Sequence, residues 1–370
     1  MCIRDSVSNP PFLGGKKISG ALGTNYRELL VSILAASKKG NADLVAYFFL
    51  RARSVANLTG YVATNTIGQG DTSEVGLEQI IDAGSVIYRA SSSTPWPGAA
   101  SVEVAGVWIS RGKWTEPAYL DGGKVDEIDE MLYRRSPSGW RPQSLNSNAD
   151  QSFQGSIVLG KGFVMTPDEA QALIDRDERN EDVLFPYMGG EDLNQSPTLT
   201  APRWVINFFD WPIERAQEYP DCFNIVEERV KPYRQEKKRD GSFVRRRPLP
   251  QRYWQYADKR PKLYRTIEGL DRVLAICLVS KSVMPVFVST GQVISHKCAV
   301  FASDHDFHLG ALSSNFHFRW ACRYGSTLET RLNYSPSDVF DTFAQPRRSC
   351  LLYTSPSPRD RTRSRMPSSA

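Results

Sequence analysis

Between residues 25 and 55, apolar side chains recur at helical spacing in two runs, Asn25 to Ser37 (NYRELLVSILAAS) and Asp43 to Val55 (DLVAYFFLRARSV). Gly40-Asn41 separates them as a stop and restart. The pattern then shortens. Tyr61 to Thr64 reads as a short buried strand, Gly68-Gln69-Gly70 as a break, and Asp71-x-x-Glu74 as a capping-box-like start to a helix from Glu74 to Asp82. Two more strands, Val86 to Arg89 and Val102 to Ile109, flank the loop SSSTPWPGAA. Helix, strand, helix, strand, strand suits part of an α/β sheet whose last two strands pair antiparallel.

From Arg111 to Gly139, glycine, proline and charged residues replace the periodicity and predict a boundary. This divides the chain into a first domain over 7–115, a linker over 116–144 and a second domain over 145–346. In the second domain, Phe153 to Met165 is strand-like. Thr166-Pro167-Asp168-Glu169 predicts a capped helix running to Arg176, with proline at its first position. Residues 203–209 (RWVINFF) and 284–302 predict β structure, and Asp221 to Val230 and Gly310 to Tyr324 predict helices. The second domain is therefore α+β, and no internal repeat is visible.

A length of 370 residues with 41% hydrophobic content is enough for two cored domains. No apolar run approaches the ~18 residues of a membrane span, and no signal peptide opens the chain, so a cytoplasmic protein without membrane contact is expected. Cys2, Cys222, Cys277, Cys298, Cys322 and Cys350 are scattered, which indicates reduced thiols rather than a disulfide framework or zinc ribbon. His296, Cys298, His305, His308, His317 and Cys322 fall near one another without a zinc-ligand spacing, so no metal is expected. Gly14-Gly15-Lys16-Lys17 lacks the spacing of a phosphate loop.

The formal charge of +5 suggests an acidic partner, but the chain ends carry much of it. Residues 1–6 (MCIRDS) and roughly 349–370 resemble translated sequencing-adapter read-through; a genuine disordered basic arm is the alternative for the tail. Arg359, Arg361, Arg363 and Arg365 against Asp360 make +3, leaving +2 of the +5 for the remainder. That is a weak argument for nucleic acid. Locally the charge is concentrated. Lys231, Lys237, Lys238, Arg239, Arg245, Arg246 and Arg247 are interleaved with Tyr233, Tyr253, Trp254 and Tyr256. Phosphate contacts and a solvated loop both fit this pattern.

Asn9-Pro10-Pro11-Phe12 is the stretch that bears chemistry. The exocyclic amine of adenine is a poor nucleophile because its lone pair is delocalised into the ring. Two acceptors for its hydrogens draw the nitrogen toward sp3 geometry and aim the lone pair. Asn9 offers a carboxamide oxygen and Pro10 a backbone carbonyl, with Pro11 stiffening the turn and Phe12 able to stack on the base. This is catalysis by positioning and preorganised dipoles, and it requires a base flipped out of its duplex. Alone, the tetrapeptide also fits a simple Asn-Pro turn.

The succession NPPFLGGKKISGALGTNYRELL, NADLVAYFFLRA, GYVATNTIGQGDTSEVGLEQI and IYRASSSTPWPGAASVEVAGVW resembles motifs IV to VIII of the γ-type adenine-N6 DNA methyltransferases, in particular the MmeI-like and type IIG restriction-modification proteins. SFQGSIVLGKGFVMTPDEA, VLFPYMGGEDLN, RWVINFFDWP, DCFNIVEERVKP and RLNYSPSDVFDTF resemble the target-recognition region of the same proteins. The resemblance implies the C-terminal half of a Rossmann-like class I methyltransferase sheet followed by an α+β target-recognition domain. It implies S-adenosylmethionine as methyl donor and double-stranded DNA as partner. Asn9, Pro10, Pro11 and Phe12 then match the adenine-holding motif, and Trp96 the position of a second base-stacking aromatic. Asp43 matches a block behind the donor pocket. Trp96 as a rim residue packed on loop prolines, and Asp43 as a plain helix-terminal aspartate, are the alternatives. The glycine-rich donor loop of that family precedes its NPPF motif, so this chain is expected to be inactive alone, with any nuclease domain outside it. Methyltransferases acting on protein glutamine or RNA bases share NPP-aromatic motifs, and a DNA-specificity module without catalysis is a further rival.

Overall fold

The structure, a computed structural model, describes residues 5–99, 102–135, 142–328 and 331–346. The first domain begins with β1 (Asp5–Ser8), α1 (Gly15–Leu22), α2 (Thr24–Ile33), α3 (Leu44–Val55) and β2 (Leu58–Thr64). A 3-10 turn (Asn65–Gly68) leads into α4 (Gly70–Ser73), a π turn (Glu74–Glu78) and α5 (Gln79–Asp82), which run on without a break. β3 (Val86–Pro95), β4 (Glu103–Ser110), β5 (Ala118–Leu120) and β6 (Gly123–Val125) follow.

These strands form one sheet in the order β1-β2-β4-β3-β5-β6. β1 pairs parallel with β2, while β4 runs antiparallel to both β2 and β3. It follows that β1, β2 and β3 point the same way and end at one edge. Open α/β sheets use that carboxyl edge for ligands. The helical period of residues 44–52 buries Val45, Phe49 and Ala52, and Phe49 meets Tyr61 of β2 at a ring separation of 5.2 Å. Gly15 is required by close packing, because a Cβ there would lie 2.3 Å from the Asn41 backbone. The Gly14-Gly15-Lys16-Lys17 run is thus spent on docking α1.

Several expectations shift. Residues 116–144, expected as a linker, carry β5 and β6, and Ile128 and Leu132 belong to the first core; the sheet continues because β5 pairs parallel with β3. Asp71 opens no capping box. Its carboxylate accepts the Asn41 N–H at 2.6 Å, and the helix begins earlier, at Gly70. β3 extends six residues past Arg89 because β4 supplies partners as far as Pro95. Asp5 and Ser6, within the stretch read as foreign, pair with Leu58 and Thr59 through backbone groups that any sequence carries.

The second domain runs through β7 (Ser152–Gln154), β8 (Val164–Met165), α6 (Pro167–Arg176), β9 (Leu184–Met188), α7 (Gly190–Gln195), β10 (Arg203–Ile206), α8 (Ile213–Ala216), α9 (Pro220–Arg229), α10 (Lys231–Arg234) and α11 (Pro261–Thr266). It continues with β11 (Arg272–Cys277), β12 (Val279–Ser280), β13 (Val286–Ser289), β14 (Val293–Ile294), β15 (Cys298–Phe301), α12 (Asp306–Leu312), α13 (Asn315–Tyr324), β16 (Ser326–Leu328) and β17 (Arg331–Asn333). Three sheets result, ordered β14-β9-β10-β8, β13-β11-β15-β7 and β12-β17-β16. The α6 start is as expected: Thr166 accepts from Glu169 N–H while Glu169 accepts from Thr166 N–H, with Pro167 at the first position.

Phe153 to Met165 is not one strand. Gly155 lies so close to Ser295 that a Cβ would sit 2.3 Å from its carbonyl oxygen, and Leu159 and Gly160 take positive φ of 48° and 140°. Gly310 to Tyr324 is two helices, because the Ser314 hydroxyl caps a fresh start at the His317 N–H. Cys222 and Cys298 are buried free thiols and Cys322 is an exposed one; Cys2 and Cys350 lie outside the described residues, as do the whole 349–370 tail and the first four positions. Among the described residues no helix is long and apolar enough to cross a membrane.

His317 is fully buried, with Nδ1 2.7 Å from the Leu312 carbonyl and Nε2 3.0 Å from the Tyr334 hydroxyl. A neutral ring donating from Nδ1 satisfies both contacts. Burial holds its pKa down, to about 4, from an ordinary 6.5. The depressed folded value means that the stability His317 contributes is complete above pH 6.5 and is lost as the pH falls toward 4, amounting to about 3 kcal/mol. Urea unfolding at pH 7.5 and 4.5 checks this: the drop in stability should shrink by that amount in His317→Asn relative to the unaltered chain. Equal drops in the two proteins would show that the histidine does not titrate this way.

Candidate functional site

Asn9 follows directly on β1, at the carboxyl edge of the parallel β1–β2 pair. Its side chain is exposed and, among the described residues, bonds to no other group; Pro10 is buried and Phe12 is half-buried against the first core. A free carboxamide at a strand end suits an acceptor waiting for a ligand's N–H groups. The next backbone amide is fixed. Leu13 N–H donates to Asp43 Oδ1 at 3.1 Å, and the same oxygen caps α3 by accepting from Val45 N–H at 3.0 Å. The Asp43 N–H in turn donates to the Thr72 hydroxyl.

Asp43 is thus a buried helix cap and a tether for the loop behind Phe12. Both of these hydrogen bonds fall on its Oδ1. Asp43→Ala should cost about 2 kcal/mol, combining removal of the cap with an orphaned buried amide at Leu13. Thermal unfolding measures that cost, and a change below about 0.5 kcal/mol, the size of an ordinary surface substitution, would refute the tether.

Trp96 follows β3 at the same edge as Asn9. β2 and β4 intervene, so at an interstrand spacing of about 4.8 Å, β1 and β3 lie about 14 Å apart. Register sets its height. Thr64 and Thr94 both pair with Val104, so Trp96 overhangs the 3-10 turn that follows β2. Its backbone N–H donates to Val102 O, and its indole lies against Gly98, where a Cβ would come within 2.7 Å of Nε1. The ring therefore packs on its own hairpin loop, next to the edge rather than on Phe12.

The second domain meets this edge through residues that sequence reading did not single out. Thr327 of β16 donates its N–H to Gln69 Oε1 at 2.9 Å, and Gln69 Nε2 donates to the Thr327 hydroxyl at 3.1 Å. Asn65 Nδ2 reaches the same hydroxyl at 3.2 Å and the Ser93 hydroxyl at 3.3 Å. Beside them, Arg323 pairs with Asp129 at 3.5 Å and lies over the Tyr133 ring. Burial raises the pKa of Asp129, against which Arg323 and two backbone amides pull it down. The sole advance signal was the Gly68-Gln69-Gly70 break.

The basic stretch divides. Lys231 pairs with Glu227 at 2.8 Å, and Arg245 pairs with Glu236 while stacking 4.2 Å from the Tyr233 ring. Lys237, Lys238, Arg239, Arg246 and Arg247 are exposed, and among the described residues none makes an ion pair. Lys237 to Phe243 folds as a tight ribbon, with Lys238 N–H bonded to Ser242 O. Of the interleaved aromatics only Tyr233 is exposed; Tyr253, Trp254 and Tyr256 are core residues, Trp254 Nε1 donating to Trp211 O and the Tyr256 hydroxyl to Ile206 O. A helical or loop aromatic near charges is pulled inward when apolar neighbours surround it.

A separate groove of about 630 Å³ is lined by polar side chains, Glu191, Asn194, Gln195, His296, Lys297, Arg331 and Asn333, beside the apolar Leu278 and Val279. His305 Nδ1 caps α12 at the Phe307 N–H, and His317 is buried.

Two family models match: "MmeI, target recognition domain" over residues 141–347 and "MmeI, DNA-methyltransferase domain" over residues 6–111. Among solved structures, the type IIL restriction-modification enzyme MmeI in complex with DNA is similar at 20% identity with a TM-score of 0.74, covering 93% of this chain and 47% of that one. The type IIG restriction endonuclease BpuSI is matched at 12% identity over the same shares, with a TM-score of 0.29 that carries no weight. The chain therefore spans about half the length of the solved relatives it matches. No curated protein matches it.

Proposed function

The chain belongs to the MmeI family, and from that premise we propose that it is the adenine-holding and sequence-reading part of a restriction-modification DNA methyltransferase. The observation that carries this reading is an exposed Asn9 carboxamide at the carboxyl edge of a parallel strand pair, in a chain whose second half matches a target-recognition domain. Asn9 Oδ1 and the Pro10 carbonyl accept the two amino hydrogens of a flipped adenine. The nitrogen pyramidalises and its lone pair becomes available to an electrophile. Phe12, half-exposed beside them, offers a ring to the base. S-adenosylmethionine would supply the methyl group, held for the most part by residues in the share of the relatives' length that this chain does not span. Double-stranded DNA is favoured over glutamine or RNA substrates because the recognition-domain match extends over residues 141–347.

Two features support a partial sheet. Val7 on the outer strand β1 is 87% exposed, whereas parallel strands are ordinarily covered on both faces. Tyr26, Leu29 and Ile33 also form an exposed apolar stripe on α2. A donor-binding half of the sheet would cover both.

DNA is read in this proposal by the polar groove and held by the ribbon cations. Hydrogen-bonding side chains such as Asn194, Gln195 and Lys297 suit base edges in the major groove. Replacing Lys237, Lys238, Arg239, Arg246 and Arg247 by glutamine should flatten the plot of log affinity against log salt by about 0.9 for each phosphate that these cations neutralise. An unchanged slope would assign them to solvent.

The decisive experiment joins this chain to its upstream coding segment and incubates the product with plasmid and S-adenosylmethionine. Single-molecule sequencing should then show N6-methyladenine within one short motif. Retardation of DNA without modification would instead identify a specificity module. The 370-residue chain alone should bind DNA and incorporate no labelled methyl group; measurable incorporation would overturn the assignment of the donor site to outside it.

A further inference from the structure

We infer that Gln69 and Asn65 are positioning residues that lock the recognition domain onto the base-holding edge and so set where along the DNA the modified base lies; this rests on the function proposed above. The two-stranded ribbon β16–β17 faces two ways. β17 contributes Arg331 and Asn333 to the polar groove, while Thr327 of β16 is gripped by the Gln69 carboxamide at both its N–H and its hydroxyl. Asn65 divides its two amide hydrogens between Thr327 and Ser93, and the Ser93 hydroxyl donates to Glu103 Oε2 at 2.7 Å. Ser93 and Glu103 lie on the two strands of the hairpin whose loop carries Trp96. A continuous hydrogen-bonded path therefore joins the groove-lining ribbon to the Trp96 loop across 262 residues of sequence.

The chemistry suits registration. A primary amide that both donates to and accepts from one threonine fixes distance and orientation together, which an apolar contact does not. Such a joint adds little to DNA affinity, because it touches neither phosphate nor base. Its loss lets the ribbon and the loop move independently, and misplacing a reacting group by about 1 Å costs up to about a hundredfold in rate.

In the complete enzyme, Gln69→Ala should lower kcat for methyl transfer roughly tenfold to a hundredfold while KM for duplex stays within about twofold. Gln69→Glu should recover most of the rate, since its carboxylate still accepts from the Thr327 N–H and hydroxyl. In the 370-residue chain, hydrogen exchange should show faster exchange at Thr327 and at the Trp96 N–H for Gln69→Ala, with global protection elsewhere preserved. An unaltered kcat, a parallel loss of DNA affinity, or slow exchange at both amides would overturn the inference. The exchange measurement stands without activity: if the unaltered complete enzyme methylates nothing, the functional reading fails while the joint is still judged by the amides.

Discussion

Asn9→Ala in the complete enzyme is expected to lower the rate of methyl transfer by about 10²–10³, or roughly 3–4 kcal/mol, while target affinity and thermal stability stay nearly constant. The size follows from what the carboxamide does. It is one of two acceptors that localise the amine's lone pair, and a preorganised dipole removed from a desolvated site costs more than a hydrogen bond exchanged with water. The selectivity follows from where Asn9 sits. Its side chain is exposed and bonds to nothing else described, so deleting it should change folding stability by less than about 0.5 kcal/mol. The ribbon cations and the polar groove lie in the other domain, so DNA binding survives. Asn9→Asp retains an acceptor oxygen and should fall between the two. Single-turnover methylation with a labelled donor measures the rate, and full activity in Asn9→Ala would remove the adenine clamp from this protein.

Arg234→Ala should destabilise the recognition domain by about 4 kcal/mol, the range seen when a buried charge network is broken. Arg234 has no exposed surface. Its Nη2 donates to the Val158 and Leu159 carbonyls at 2.9 and 2.8 Å, Nε donates to Leu159, and Nη1 reaches the Gln255 carbonyl at 3.2 Å. The guanidinium also lies 5.6 Å from the Phe163 ring centre. Burial lowers its pKa to about 10, which leaves it charged at neutral pH. No carboxylate balances it among its described partners; carbonyl dipoles do. Truncation leaves those carbonyls without a donor and opens a cavity beside Phe163, where the chain turns through Leu159 and Gly160 at positive φ. For a domain of this size the melting temperature should drop by roughly 10 °C. Arg234→Lys should recover little, because a point charge cannot serve carbonyls in several directions at once. A melting temperature within about 2 °C of the unaltered protein in Arg234→Ala would refute this account, since one kcal/mol alone shifts a domain of this size by more than that.

Local chemistry was legible beforehand. The α6 start could be read from Thr166-Pro167-Asp168-Glu169 because every bond in a capping box joins residues within one turn. The helices expected over 25–37 and 43–55 were visible because burial of one face imposes a period on adjacent residues, although the first ends at Ile33, four residues short, where Ala36 and Ser37 take positive φ. The break at Ser314 falls in the polar triplet Ser313-Ser314-Asn315, but a serine hydroxyl caps a helix only when the following amides are already turned toward it. β5 and β6 were hidden as well: strands of three residues among glycines carry no period, and the neighbour that makes β5 a strand is β3, about thirty residues earlier.

The sequence by itself determined the start of α6, the helical runs of the first domain and the place of the Asn9-Pro10-Pro11-Phe12 stretch, because these depend on side-chain period, caps and stiff prolines within a few residues of one another. Tertiary structure alone decided which charges remain free. It drew Arg234 into the core, paired Arg245 with Glu236 across the ribbon, and left Lys237, Lys238, Arg239, Arg246 and Arg247 exposed. It likewise turned Tyr253, Trp254 and Tyr256 inward and brought Thr327 to Gln69. Each of these outcomes depends on desolvation by neighbours distant in the chain, and a polar side chain's identity is the same whether its partner turns out to be water, a carbonyl or a residue of the other domain.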